Sequence, residues 1–163
     1  MCGISGFFSQ TNMPRDHISR LQDGIRNRGT DNFGESSNFD PNMLQSAIYH
    51  ARLSIIDIGP TSNQPFEKAG CKQKLVYNGE VYNFRELREE LITRFNAQFE
   101  TDGDTEVIYE GLRCMGKDFI PMISGEFAFC FYDYDASYLI LARDSFGKKP
   151  LSFVSRDNSF LFS

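Results

Sequence analysis

Phenylalanine recurs at every second position in Phe127, Phe129 and Phe131, with Ala128 and Cys130 between them. A period of two is the signature of a β-strand, and this one suits a strand with one face on a packed core. The spacing predicts strands over Gly125–Asp133 and Ser137–Arg143, paired as a hairpin around Tyr134-Asp135-Ala136. A second hairpin follows over Leu151–Ser155 and Ser159–Ser163, around Arg156-Asp157-Asn158. Upstream the pattern differs. Ile18, Leu21 and Ile25 mark a helix over Met13–Asn27. Phe84, Leu87, Leu91 and Phe95 mark another, with Asn83 and Glu86 spaced as a capping box. Val107, Ile108, Leu112 and Met115 mark a third, opening at Asp104 or Thr105 and ending at Gly116. Further strands are expected at Cys2–Ser9, Ser46–Arg52, Leu53–Ile58 and Gln73–Tyr77, the last stopped by Asn78-Gly79. Helices and antiparallel strands in blocks predict an α+β fold.

The chain has 163 residues, enough for one domain with one sizeable core, and shows no repeat, linker or low-complexity tract. It carries 17 Lys and Arg against 22 Asp and Glu, a net charge of −5. That balance lacks the basic footprint of a nucleic-acid binder. No apolar run is long enough to span a bilayer, and the N-terminus has no basic region before its short apolar stretch. Neither a membrane nor a nucleic-acid partner is expected, and the default compartment is the cytoplasm. The four cysteines, Cys2, Cys71, Cys114 and Cys130, fit no zinc spacing, so no metal site is expected.

Cys2 stands apart. Removal of the initiator methionine would leave a thiol and an α-amine on one residue. An α-amine with a reference pKa of about 7.7–8.0 can take the thiol proton, as in N-terminal nucleophile enzymes. Gly3 and Gly6 leave room for close backbone approach beside it. His50 offers an alternative base in a Cys2–His50 dyad, against a plain structural role in its strand.

The motif Cys2-Gly3-Ile4-Ser5-Gly6 resembles the start of class II glutamine amidotransferases. Further segments match in order: Arg28-Gly29-Thr30-Asp31, Arg52-Leu53-Ser54-Ile55-Ile56-Asp57, Asn78-Gly79-Glu80-Val81-Tyr82-Asn83 and Asp102-Gly103-Asp104-Thr105-Glu106. Leu141-Ala142-Arg143-Asp144 and Gly147-Lys148-Lys149-Pro150 complete the pattern. The set is most similar to the asparagine synthetase branch and covers essentially the whole chain. The resemblance implies an αββα sandwich of the N-terminal nucleophile hydrolase type, two mainly antiparallel sheets between helices. It implies that Cys2 attacks the carboxamide of glutamine and that Asn78 and Gly79 form the oxyanion hole. Arg52 would hold the α-carboxylate. Asp104 would hold the α-ammonium with help from Glu80 and the adjoining Gly103, and backbone groups at Ile55 and Ile56 would touch the substrate. Read without the resemblance, Asn78-Gly79 is a turn signal, Arg52 a surface ion pair and Asp104 a helix N-cap.

Two positions depart from the pattern. Thr30 replaces proline, which leaves its loop less rigid. Gly103 replaces a common serine, which is expected to loosen the contact at Asp104. The Ser-Gly-Gly-x-Asp-Ser loop of the synthetase half is absent, since Ser124-Gly125-Glu126 is not such a run. The expected unit is therefore a glutaminase domain over residues 2–163, cut short at its C-terminal end inside Phe160-Leu161-Phe162. It needs no cofactor, ATP and Mg belonging to the missing synthetase part. Its partners would be glutamine and a synthetase domain or subunit that receives ammonia, and a homodimer is an allowed state. The competing readings are a non-catalytic module that docks to a synthetase-like partner or senses glutamine, and an amidohydrolase for another amide. Arg52 with Asp104 argues for a free amino acid.

Overall fold

The computed structural model describes residues 1–40, 42–54 and 59–163. Strand β1 (Gly3–Ser9) is followed by helix α1 (Arg15–Arg26), then β2 (Asn32–Asn38) and β3 (Gln45–Arg52). Strand β4 (Gln73–Val81) leads into α2 (Phe84–Phe95) and α3 (Asp104–Met115). The chain closes with β5 (Gly125–Asp133), β6 (Tyr138–Arg143), β7 (Phe153–Arg156) and β8 (Ser159–Phe162). One antiparallel sheet has the order β2-β3-β1-β8-β7 and a second the order β4-β5-β6. Among the described residues no helix is long and apolar enough to cross a membrane.

Alternation along the strands builds four layers. On β1 and β3, Phe7, Ala47, Tyr49 and Ala51 pack against Ile25 of α1. Ile4, Phe8 and Ile48, on the opposite face, meet Val76, Ala128, Cys130 and Tyr132 of the second sheet. That sheet turns Leu75, Tyr77, Val81, Phe127, Phe129 and Phe131 towards Leu87, Leu91, Ile108 and Leu112 of α2 and α3. The order helix, sheet, sheet, helices is the α+β sandwich expected. The phenylalanine-rich strand is more deeply placed than its pattern suggests, since β5 is covered on both faces. Burying one such phenylalanine contributes about 1.5–3 kcal/mol.

The β7–β8 turn has Asp157 and Asn158 at φ 50° and 60°. Both central residues are thus left-handed, the two-residue geometry that matches strand twist, and Asp and Asn tolerate it. Phe162 of β8 is buried, and β8 pairs with β1 on one side and β7 on the other.

The local expectations compare as follows with the structure. Strand β4 does not stop at Asn78-Gly79 but runs on to Val81, because β5 supplies a partner for every residue from Gln73 to Val81. Strand β2 is an addition, its sequence NFGESSN being too polar to show a period. Asn83 caps no helix N–H with its side chain. Its amide instead ties Met122 and Ser124, donating to the Met122 carbonyl and accepting from the Ser124 N–H at 2.9 Å each. Gly6 does admit a close backbone, since a Cβ would lie 2.6 Å from the Ala47 carbonyl oxygen, whereas at Gly3 the tightest neighbour is the Ile25 side chain at 2.8 Å; the approaching groups at both are those of the packed layers. The segment expected as a strand over Leu53–Ile58 lies largely outside the described residues.

Candidate active site

The alternation that builds the core also fixes which side chains share a cleft. On β1 the even positions Ile4 and Phe8 face the second sheet, so Cys2, one step before the strand, continues that row. On β3 the same face carries Ile48, His50 and then Arg52. On β4 it carries Val76 and then Asn78. The nucleophile candidate and the arginine thus come from one sheet and the amide from the other, at the open end of the layer between them. Cys2, Arg52, Asn78, Gly79, Glu80, Gly103 and Asp104 line one cleft of about 110 Å³. Ser62, Gln64, Tyr77 and Lys149 are also part of its wall, and Met1 lies in it. Ile55 and Ile56 lie outside the described residues.

Cys2 is held by backbone. Its Sγ lies 3.4 Å from the Leu53 N–H nitrogen and 3.5 Å from the Leu53 carbonyl oxygen, while Arg28 Nε donates to the Cys2 carbonyl at 3.2 Å. The loop that starts with Arg28 also fixes Arg52. Asp31 N–H donates to the Arg52 carbonyl at 3.0 Å, and the Asp31 carboxylate accepts from Ser54 N–H at 2.7 Å. That Ser54 bond lowers the carboxyl pKa of Asp31. Arg52 is buried, and its Nη1 donates to the Gly59 carbonyl at 2.8 Å and to Asn63 Oδ1 at 2.7 Å. Thr30 therefore sits in a loop well tied to the site, whatever rigidity the absent proline would add.

The free edge of β4 supplies the most telling geometry. Edge N–H groups alternate between the neighbouring strand and the open side. The outward row is taken in turn by the Phe66 carbonyl at Leu75, Gln64 Oε1 at Tyr77 and Asp104 Oδ2 at Val81. The Gly79 N–H belongs to this row by the two-residue period, and no described residue accepts from it. Beside it, Asn78 is 4% exposed and its side-chain amide bonds to no described residue. The Asn78 amide is not among the enclosed side-chain atoms left without a partner, so it opens onto the cleft that Asn78 and Gly79 both line. Gly79 is obligatory here for a packing reason too: a Cβ would lie 2.1 Å from the Glu126 carbonyl of β5.

Asp104 is not the N-cap. Gly103 takes that position with extended backbone, and Asp104 opens the helix. Its Oδ2 accepts from the Tyr77 hydroxyl at 2.7 Å and from Val81 N–H at 3.0 Å, which leaves Oδ1 for another donor. Burial raises its pKa against the lowering effect of these two bonds, and the nearby Glu80 charge adds to the rise. A buried carboxylate short of countercharge suits a site that binds a cation.

His50 takes no part in this cleft. Its Nε2 lies 3.1 Å from the Tyr77 carbonyl, which only accepts, so the ring is neutral with its proton on Nε2. Burial pushes its pKa down to about 4. The folded chain thus binds a proton less readily than the unfolded chain, so stability present above pH 6.5 is lost as pH falls towards 4. The expected loss is about 3 kcal/mol by pH 4. Thermal unfolding of parent and His50→Gln across that range measures it; an equal pH slope in both would rule out His50 as the cause.

Several residues in or behind the wall carry no sequence signal for their role. Gln64, Asn63 and Tyr77 act through contacts distant in the chain. Asp144 is legible only as part of a motif. Its buried carboxylate accepts N–H bonds from Phe127, Phe146, Lys148 and Lys149 at 3.0–3.2 Å, which fold the loop that brings Lys149 to the cleft. Burial alone would raise its pKa, but these donors together hold it below the usual carboxylate value.

The sequence and the fold both match known proteins. A family model described as a glutamine amidotransferase domain matches residues 1–163. The chain is 33% identical to asparagine synthetase (glutamine-hydrolyzing) 3 of Bacillus subtilis, over 99% of this chain and 26% of that one. It is 33% identical to amidase chyE of Penicillium rubens, over 94% of this chain and 24% of that one. The solved glutamine phosphoribosylpyrophosphate amidotransferase from B. subtilis, complexed with ADP and GMP, shares the fold. It superposes with a TM-score of 0.71 at 19% identity, over 98% of this chain and 41% of that one. The chain belongs to the glutamine amidotransferase domain family. Within it, the chain is similar to the glutamine-hydrolysing part of asparagine synthetases and spans about a quarter of the length of the two relatives named.

Proposed function

We propose that residues 2–163 act as a glutaminase domain, hydrolysing glutamine to glutamate and ammonia through a γ-glutamyl thioester on Cys2. The observation that carries this reading is the pair of unpartnered donors at Asn78 and Gly79, in the cleft that also holds Cys2. Removal of Met1 frees the Cys2 α-amine and clears Met1 from the cleft. The amine takes the thiol proton, and the sulfur attacks the carboxamide carbon. The tetrahedral oxyanion that forms is held by the Asn78 side-chain N–H and the Gly79 N–H. Collapse expels the amide nitrogen, which leaves as ammonia with the proton the amine returns. Water then adds to the thioester, and glutamate and the free thiol result.

Arg52 holds the α-carboxylate in this reading, and Asp104 with Glu80 beside Gly103 holds the α-ammonium. The likeness to a fungal amidase favours a second reading, a different amide substrate. An arginine and a buried carboxylate in one cleft favour a free amino acid instead. Ammonia passes to a synthetase domain or subunit, where ATP chemistry would belong, and the chain works in the cytoplasm.

Two preorganised donors serve the transition state more than the ground state. Asn78→Ala is therefore expected to lower kcat about 10²–10³-fold with KM nearly unchanged. Steady-state glutamate release measures both constants. A rise in KM alone would remove Asn78 from the oxyanion hole.

A further inference from the structure

Gly103 leaves helix α3 without a side-chain cap, yet Asp104 one residue later needs a fixed place at the cleft. The connection before it is irregular and its polar groups are nonetheless filled. Glu106, 0% exposed, accepts from Glu100 N–H at 3.0 Å, from Thr101 N–H at 2.7 Å and from the Thr101 hydroxyl at 2.8 Å. Lys68 Nζ lies 2.7 Å from Glu106 and 2.9 Å from Glu110, and donates to the Gln98 carbonyl. Arg88 of α2 donates to the Thr101 carbonyl at 2.7 Å and to the Gly103 carbonyl at 3.3 Å. In a capping box, the residue three past the cap reaches back to the cap's own N–H. Glu106 has that position, but it reaches two and three residues further back, to Thr101 and Glu100.

We propose that Glu106, Lys68 and Arg88 are positioning residues that replace the missing N-cap side chain and hold Asp104 in place for the substrate ammonium. The inference rests on the reading of this cleft as a glutamine site. Its prediction is selective: loosening the connection weakens recognition of the amino-acid end and leaves the Cys2 thiol as reactive as before.

Two probes separate these effects on the full chain. A diazoketone analogue of glutamine carries the amino-acid end and alkylates the thiol. Iodoacetamide alkylates it without that end. In Glu106→Gln the half-saturation concentration for the diazoketone should rise about ten- to hundredfold, the cost of a small misplacement. The iodoacetamide rate should stay within about twofold of the parent, since the sulfur's own contacts are untouched. Gly103→Ser restores a cap hydroxyl, so Gly103→Ser/Glu106→Gln should return most of the way to the Gly103→Ser value. If Glu106→Gln does not fold, Lys68→Met, which removes only the outer cation, should show the same selective loss. Unchanged half-saturation in a folded variant, a parallel fall with both probes, or no recovery with Gly103→Ser would each overturn the proposal. A parent with no preference for the diazoketone would overturn the glutamine reading and this inference with it, whereas a selective parent with insensitive variants overturns this inference alone.

Discussion

A chain with Cys2→Ala releases no glutamate from glutamine above background. The same holds for a chain whose Met1 is kept in place by an uncleavable extension. Loss of a covalent nucleophile costs on the order of a millionfold in kcat. Unfolding would not explain it, because among the described residues the Cys2 sulfur's hydrogen bonds are two long ones, both with the Leu53 backbone. The melting temperature should therefore barely move. The extended chain fails for a different reason. With Met1 attached, the Cys2 nitrogen is an amide, which has no basic lone pair to take the thiol proton. Met1 also lines the cleft that the substrate would enter. Intact mass establishes which species is present, and a coupled glutamate assay measures turnover. In the processed parent, kcat/KM should rise with pH as the amine loses its proton, through roughly pH 7.7–8.0 if its reference pKa holds. Full turnover by a Met1-bearing chain would sink the α-amine as base.

The fold was legible where packing imposes a period and illegible where it does not. Phe127, Phe129 and Phe131 announce β5 because one face of that strand meets two helices along its length. Strand β2 carries Gly34, Glu35, Ser36 and Ser37 at an outer edge of its sheet, where partly exposed positions impose no apolar rhythm. Asn78-Gly79 carries a strong local turn signal, yet pairing with Ala128 and Phe127 overrides it. The ordered motifs bring Cys2, Arg52, Asn78, Gly79, Glu80, Gly103 and Asp104 into one list, and the structure gathers those seven around one cleft. What the motifs do not reveal is how the side chains are held. Gln64 reaches Tyr77 across 13 positions and Lys68 reaches Glu110 across 42, distances over which a local pattern carries no information. The capping box at Asn83 fails for a related reason: its amide finds Met122 and Ser124, and tertiary partners outcompete the helix end.

Asp104→Asn is expected to separate stability from function. In the parent, burial raises the Asp104 pKa, so the folded chain takes up a proton more readily than the unfolded chain. Stability contributed by this group therefore falls as pH rises through that range, and at neutral pH the ionised carboxylate opposes folding. An amide oxygen at the same place still accepts from the Tyr77 hydroxyl and the Val81 N–H, so neither donor is orphaned. The variant should melt at or above the parent's temperature at neutral pH. Binding should behave in the opposite way. An ammonium entering this cleft meets a buried carboxylate that, among the described residues, pairs with no cation, and the pair forms where water is scarce. Truncating such a buried charge pair costs roughly 2–5 kcal/mol, about thirtyfold to a few thousandfold in affinity. The comparison is cleanest in a Cys2→Ala background, which cannot consume the ligand. There, glutamine at a hundred times its dissociation constant should stabilise the parent cleft by about 2.7 kcal/mol, read as a rise in melting temperature. With Asp104→Asn added, the same concentration should give at most about a third of that rise. A variant that melts lower and still responds fully to glutamine would make Asp104 a structural residue and move the ammonium site elsewhere in the cleft.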